Sequence, residues 1–135
     1  MPTGPLPDHV DRFLRAPQRA VLATVRPDGA PVSVATWYRW KDGRVLLTMD
    51  ASAARARHLA NDPRVSLTVL DDDWYHHVSL RGRVVELRAD PDWLDIDEMS
   101  HHYRGVPYPR SQSFEGLTAV VAVDSWHEFV STSKR

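Results

Sequence analysis

The chain has no cysteine, which excludes both a disulfide framework and thiolate chemistry. Lysine is nearly absent, with Lys41 and Lys134 alone, and Ile96 is the only isoleucine. Arginine and alanine fill those roles, a bias that points to a GC-rich coding genome. No run approaches the ~20 consecutive apolar residues needed to span a bilayer, so no membrane segment is expected. The first ten residues, MPTGPLPDHV, contain neither a basic region nor an apolar stretch of the kind a signal peptide needs, so a cytoplasmic location is expected. The net charge of −1 offers no electrostatic attraction for nucleic acid.

Several catalytic signatures are missing as well. No G-x-S-x-G elbow, Walker motif or G-x-G-x-x-G loop occurs. Seven histidines invite a metal hypothesis. However, His76-His77 are adjacent in strand-like sequence and point to opposite faces, while His101-His102 lie roughly 100° apart on a helix. Neither pair has the i, i+4 spacing that places two ligands on one helical face, so no metal site is expected. Asp92, Asp95, Asp97 and Glu98 read as the solvated first half of a helix, where the dipole favours carboxylates.

What is present fits one globular domain over residues 1–135, with 42% hydrophobic residues and 5 Trp. Val10, Phe13 and Leu14 recur at helical spacing, predicting an N-terminal helix over Asp8 to Arg15. Ala20 to Val25 is an apolar run of strand length, followed by the turn Arg26-Pro27-Asp28-Gly29. Val32 to Trp40 alternates and predicts one strand; Asp42-Gly43 signals a hairpin into Val45 to Met49. Val65 to Leu70 and Val78 to Leu87 are further strands, with Gly82 marking a bulge or a close backbone approach. Asp90 with Pro91 predicts the start of a second long helix running to about Tyr103 and stopped by Gly105. A Pro-containing loop over Val106 to Glu115 leads to two closing strands, Leu117 to Val123 and Trp126 to Val130. The fold expected is mainly β: a small barrel over residues 20–130 with few helices.

Between two of these strands stands Asp50 to Asp71, DASAARARHLANDPRVSLTVLD. It predicts a short helix with Ser52 as N-cap, Arg55 and Arg57 in its first turn and a half, and Asp62-Pro63 as its stop. Free N–H groups at a helix start favour anions, and guanidiniums bind phosphate in bidentate fashion, so this stretch is a candidate phosphate site. Arginines on a solvated helix face are the plainer alternative. A barrel of this size is filled by its own side chains, so a large ligand must lie in an outer cleft. Exposed aromatics such as Trp37, Trp74 and Tyr75 would make a monomer surface sticky unless a second copy covers them.

Three groups of residues, in this order and spacing, resemble the pyridoxamine-phosphate-oxidase-like split β-barrel family. They are Leu22-Ala23-Thr24-Val25 with Arg26-Pro27-Asp28-Gly29 and Pro31; Arg55-Ala56-Arg57-His58-Leu59 with Asp62-Pro63-Arg64-Val65; and Arg81-Gly82-Arg83-Val84. Within that family the chain is most similar to the small actinobacterial branch that uses a deazaflavin, coenzyme F420. The similarity covers about residues 8 to 130. The family often has Lys where Arg55 stands, which keeps the charge, and Asn where His58 stands, a departure that bears on the cofactor contact at that turn.

The resemblance implies a split β-barrel homodimer with two cofactor sites at its interface. It implies that Arg55 and Arg57, with Ser52, grip the cofactor's phosphate. The ring would lie against Val34, Ala35, Thr36 and Thr48, with Trp74 and His77 of a second subunit over it; Val34 and Ala35 read equally well as barrel packing. F420 carries an anionic tail beyond its phosphate, for which Arg39, Arg81 and Arg83 are candidates. His77 and Tyr103 are candidates to relay a proton in catalysis. The expected activity is hydride transfer between reduced F420 and an electron-poor small molecule. The alternatives are an FMN oxidoreductase of the same fold and a non-catalytic protein that binds F420 or haem.

Overall fold

The computed structural model describes residues 3–110 and 113–131. The elements in chain order are α1 (Asp8–Arg15), β1 (Arg19–Val25), β2 (Pro31–Thr36), β3 (Arg39–Lys41), β4 (Arg44–Asp50), α2 (Ala54–Asn61), β5 (Arg64–Leu70), β6 (His76–Ala89), α3 (Leu94–Arg104) and β7 (Gly116–Val130). The seven strands form one antiparallel sheet in the order β2-β1-β5-β6-β7-β4-β3. The two strands at its ends, β2 and β3, are consecutive in sequence and joined only by Trp37 and Tyr38. The sheet must therefore curl until its edges nearly meet, without hydrogen bonding to each other. This is a split barrel.

That join corrects the sequence reading of Val32 to Trp40 as one strand. Alternation runs through the segment, but β2 pairs with β1 while β3 pairs with β4 on the far edge. Tyr38 makes the corner. Its ring is fully buried and its hydroxyl donates to Leu14 O at 2.7 Å and Ala16 O at 3.3 Å, and burial pushes its pKa far up. Nearby, Trp40 Nε1 donates to Asp11 Oδ1 at 2.7 Å. These bonds fasten α1 across one barrel end, where Val10 and Leu14 enter the core beside Leu22, Leu47 and Val69. Asp42 and Gly43 both take positive φ, 53° and 73°, as a two-residue hairpin turn between β3 and β4 requires.

The longest pair is β6 with β7, and two bulges bend it. Between the pairs Arg81↔Ser125 and Gly82↔Val123, Asp124 has no partner; between Val84↔Val121 and Glu86↔Val120, Val85 has none. Asp124-Ser125, which separates two strands in the sequence reading, is thus a bulge inside the single strand β7. Extra residues of this kind add the local twist a closing sheet needs. Gly82 sits at the first bulge, where a Cβ would come within 2.1 Å of Ala122 O.

α3 also begins later than the sequence predicts. Asp90 is buried and its carboxylate does accept from helix N–H groups, but those of Asp95 and Ile96, at 3.1–3.2 Å. Pro91 and Asp92 form a turn before the helix, and Trp93, with φ 60°, is the residue that enters it. The sequence placed the capping carboxylate correctly and the first helical turn too early.

Gly82→Ala should lower the unfolding free energy by about 1–3 kcal/mol, because the crowding atom is backbone and cannot swing away. A denaturant titration showing wild-type stability would mean that β7 shifts freely at the bulge.

Candidate functional site

The seam of the barrel opens into a cleft of about 1090 Å³, ample for a flavin-sized ligand. Ala35 and Thr36 end β2 on one side, and Thr48, Met49 and Asp50 end β4 on the other. Arg55 reaches in from α2, while Trp37 and Tyr103 stack at the rim. Leu70, the last residue of β5, and Asp72 just after it border the cleft, and Tyr108 and Phe114 enter from the loop before β7.

Arg55 has the most informative surroundings. Its guanidinium is half-buried and donates to Thr36 Oγ1 at 3.1 Å and the Thr48 carbonyl at 3.4 Å. These bonds use two of its five N–H groups. Among the described residues, no carboxylate lies within ion-pair distance of it. Burial lowers its pKa, a sign of desolvation without a compensating anion. The other cation lining the cleft, Arg19, is paired with Asp72 at 2.7 Å. The Thr48 hydroxyl also lines the cleft and has no hydrogen-bond partner among the described residues, although its side chain is largely buried. A desolvated, unpaired guanidinium beside a free hydroxyl is a donor set suited to an anionic group.

Ser52 has a different role from the one its sequence position suggested. α2 starts at Ala54 with Ala53 as N-cap and no side-chain cap. Ser52 turns back instead: its N–H and its hydroxyl both bond Asp50 Oδ1 at 3.0 Å, which draws the Asp50 pKa down. Asp50 is thereby held at the cleft wall, and the first N–H groups of α2 have no side-chain acceptor. Arg57 is exposed and donates to Ser52 O at 3.0 Å, outside the cleft lining. His58, the departure from the family pattern, contacts the buried Thr24 through Nδ1 at 3.1 Å and so docks α2 on β1.

Of the other residues singled out from the sequence, Ala35, Thr36, Thr48 and Tyr103 line the cleft with Arg55. Val34 does not; it lies across from Leu22 on an edge strand and is 42% exposed. Trp74, 68% exposed, sits with Tyr75 on the turn after β5, and His77 stacks on Phe129 at 5.1 Å; neither Trp74 nor His77 lines this chain's own cleft. Arg39 is paired with Glu98 at 2.9 Å and Arg83 with Asp124, whereas Arg81 has no ion-pair partner among the described residues. Tyr103 donates its hydroxyl to Gln18 O at 2.6 Å and accepts from Tyr38 N, with its ring stacked on Trp37 at 5.2 Å. Burial pushes its pKa up to about 12, so its proton stays in place at neutral pH. Sequence reasoning left Tyr108, Phe114 and Asp50 out of the site. Nothing in the local pattern of Pro107-Tyr108-Pro109 signals that the loop folds back onto β4.

Residues 6–126 match the pyridoxamine 5'-phosphate oxidase family. The chain belongs to that family. Among solved structures, one named as an F420 reductase is 26% identical with a TM-score of 0.82, over 90% of this chain and 98% of its own. A conserved hypothetical protein from Mycobacterium tuberculosis is 25% identical with a TM-score of 0.76, covering 95% of this chain and 86% of that one. An FAD and heme binding protein from Mycobacterium smegmatis shares the fold at 15% identity and TM-score 0.67, over 96% and 73% of the two chains. No curated protein matches. Membership in the family agrees with the mainly β fold built on one antiparallel sheet of seven strands.

Tyr103→Phe keeps the stack on Trp37 and removes the bond to Gln18. It should cost about 1–3 kcal/mol of stability and leave ligand affinity within about threefold. The raised pKa means that the folded state holds this proton more tightly than the unfolded state. The Tyr103 contribution is therefore complete below the ordinary phenol value of 10.0 and declines as pH rises towards about 12. Thermal melts of both proteins between pH 8 and 11 test this; parallel curves would contradict it.

Proposed function

We propose that this protein is an F420-dependent oxidoreductase that passes a hydride from the reduced deazaflavin to an electron-poor, conjugated small molecule. The observation that carries this reading is the half-buried Arg55, without a carboxylate partner, inside a cleft of flavin size. The choice of deazaflavin over FMN is supported by the F420 reductase, similar over nearly its whole length. FMN is the second reading, favoured by the family match itself.

When bound, a reduced deazaflavin supplies a hydride pair and resists one-electron chemistry with oxygen. The chain's residues do the rest. Arg55, Thr48 and the first N–H groups of α2 hold the phosphate. Ala35 and Thr36, small at the end of β2, leave room for a flat ring against the backbone. The Trp37–Tyr103 stack walls one side of the cleft against water. Tyr103 orients Trp37, and its hydroxyl proton is engaged by the Gln18 carbonyl, so in this reading the proton comes from water, or from His77 if a second copy presents it.

The working unit in this proposal is a homodimer. Val21 and Ala35 lie directly opposite each other on β1 and β2, and both line the cleft, so its floor continues onto the outward face of the sheet. Val21 is 37% exposed and Trp74 68%. A second copy would cover these apolar groups and close the open side.

Arg55→Ala should weaken binding of the preferred cofactor by roughly tenfold or more, the equivalent of a lost charge-assisted hydrogen bond. Parallel titrations with F420 and FMN, read by absorbance, test both the site and the choice of cofactor. Submicromolar FMN binding with no F420 binding would overturn the F420 reading, and unchanged affinity in the variant would remove Arg55 from the site. In sedimentation, a species of about twice 15.4 kDa is expected at micromolar concentration; a monomer alone would contradict the dimer.

A further inference from the structure

We propose that Tyr108 is a direct ligand of the cofactor's phosphate and shares it with Arg55. This rests on the functional reading above and adds a residue to the same site, contributed by the loop that precedes β7.

Tyr108 lines the cleft, and its hydroxyl makes no hydrogen bond to any described residue. That contrasts with the two other tyrosines near the seam. Tyr38 and Tyr103 both give their protons to backbone carbonyls. Tyr108 and Arg55 line the same cleft, and the Phe114 ring that Tyr108 packs against precedes Glu115, whose carbonyl accepts the Ala51 N–H at 2.8 Å just ahead of α2. An anion held by Arg55 is therefore a natural acceptor for the Tyr108 hydroxyl, and an O–H bonded to an ionised oxygen is among the stronger hydrogen bonds.

The ring is also fixed in advance. Tyr108 packs against Trp93 at 5.9 Å and Phe114 at 5.2 Å, and Trp93 meets Phe114 at 4.9 Å. Asp97 on α3 fastens the same loop twice, accepting the Tyr108 N–H at 3.1 Å and the Arg110 guanidinium at 2.9 Å; Arg110 in turn lies over the Trp93 ring at 4.5 Å. Little rotamer freedom is left to lose when a ligand arrives. A tyrosine kept only for packing has no need of its hydroxyl, whereas a phosphate ligand needs the hydroxyl and a fixed ring together.

Tyr108→Phe keeps the aromatic packing and deletes the hydroxyl alone. Affinities of the wild type, Tyr108→Phe and Arg55→Gln would be measured for two pairs of probes: F420 against its dephosphorylated chromophore, and FMN against riboflavin. Expected is a loss of about tenfold for the phosphorylated member of whichever pair binds, with the dephosphorylated member within twofold of wild type. An equal loss for both members would assign Tyr108 to packing and overturn the proposal. So would unchanged affinity in Tyr108→Phe with a loss in Arg55→Gln, which leaves the functional reading standing. Unchanged affinity in both variants, or no binding of either phosphorylated cofactor, would overturn both.

Discussion

Two residues, Trp37 and Tyr38, carry the chain from one edge of the sheet to the other, and the rest of the architecture depends on that short span. A link so short cannot cross an open, flat sheet of seven strands. The sheet has to curl, and it curls around a core that α1 closes at one end. The hydroxyl of Tyr38 secures the corner by bonding the last carbonyls of α1, so the plug and the seam are held by the same side chain. The candidate cleft is a by-product of the same constraint. Because β2 and β3 approach without pairing, the seam is left to be lined by side chains from the strand ends, from α2 and from the loop before β7.

The electrostatics of that cleft differ from those of the surface around it. Many arginines elsewhere find carboxylates, among them Arg15 with Asp11, Arg39 with Glu98, Arg64 with Asp62 and Arg110 with Asp97. Such pairs are mostly exposed and contribute little to stability. Arg55 is half-buried and held by a hydroxyl and a carbonyl, neither of which neutralises it. Asp50, the nearest cleft-lining acid along the chain, is occupied by Ser52. A charge desolvated in this way is costly unless something else supplies the opposite sign. A phosphate would do so.

Much of this was legible in the sequence, for identifiable reasons. α1 follows from Val10, Phe13 and Leu14, the β3–β4 hairpin from Asp42-Gly43, and the close approach at β6 from Gly82, because each is a local rule with a local cause. The break after Thr36 was not legible, since alternation reports which face a side chain takes and says nothing about which strand pairs with it. Ser52 misled for a similar reason: it is a good cap by type, but Asp50 two residues earlier competes for its hydrogen bonds. Asp124-Ser125 looks like a turn and is a bulge, because the neighbouring strand β6 is long enough to pair on both sides of it. In the site, Arg55 could be named from its place at a helix start, and Ala35, Thr36 and Thr48 from the family resemblance. Tyr108 and Phe114 could not, because they approach from more than fifty residues away along a loop whose course depends on Asp97 and Trp93.

The central claim is that the Arg55 guanidinium is kept unpaired in order to hold a phosphate. A crystal structure of the protein with its preferred cofactor tests this most directly. The account predicts a phosphate oxygen within hydrogen-bond distance of the Arg55 guanidinium at the start of α2. A cofactor bound with its phosphate elsewhere, and Arg55 still directed only at Thr36 and the Thr48 carbonyl, would contradict it.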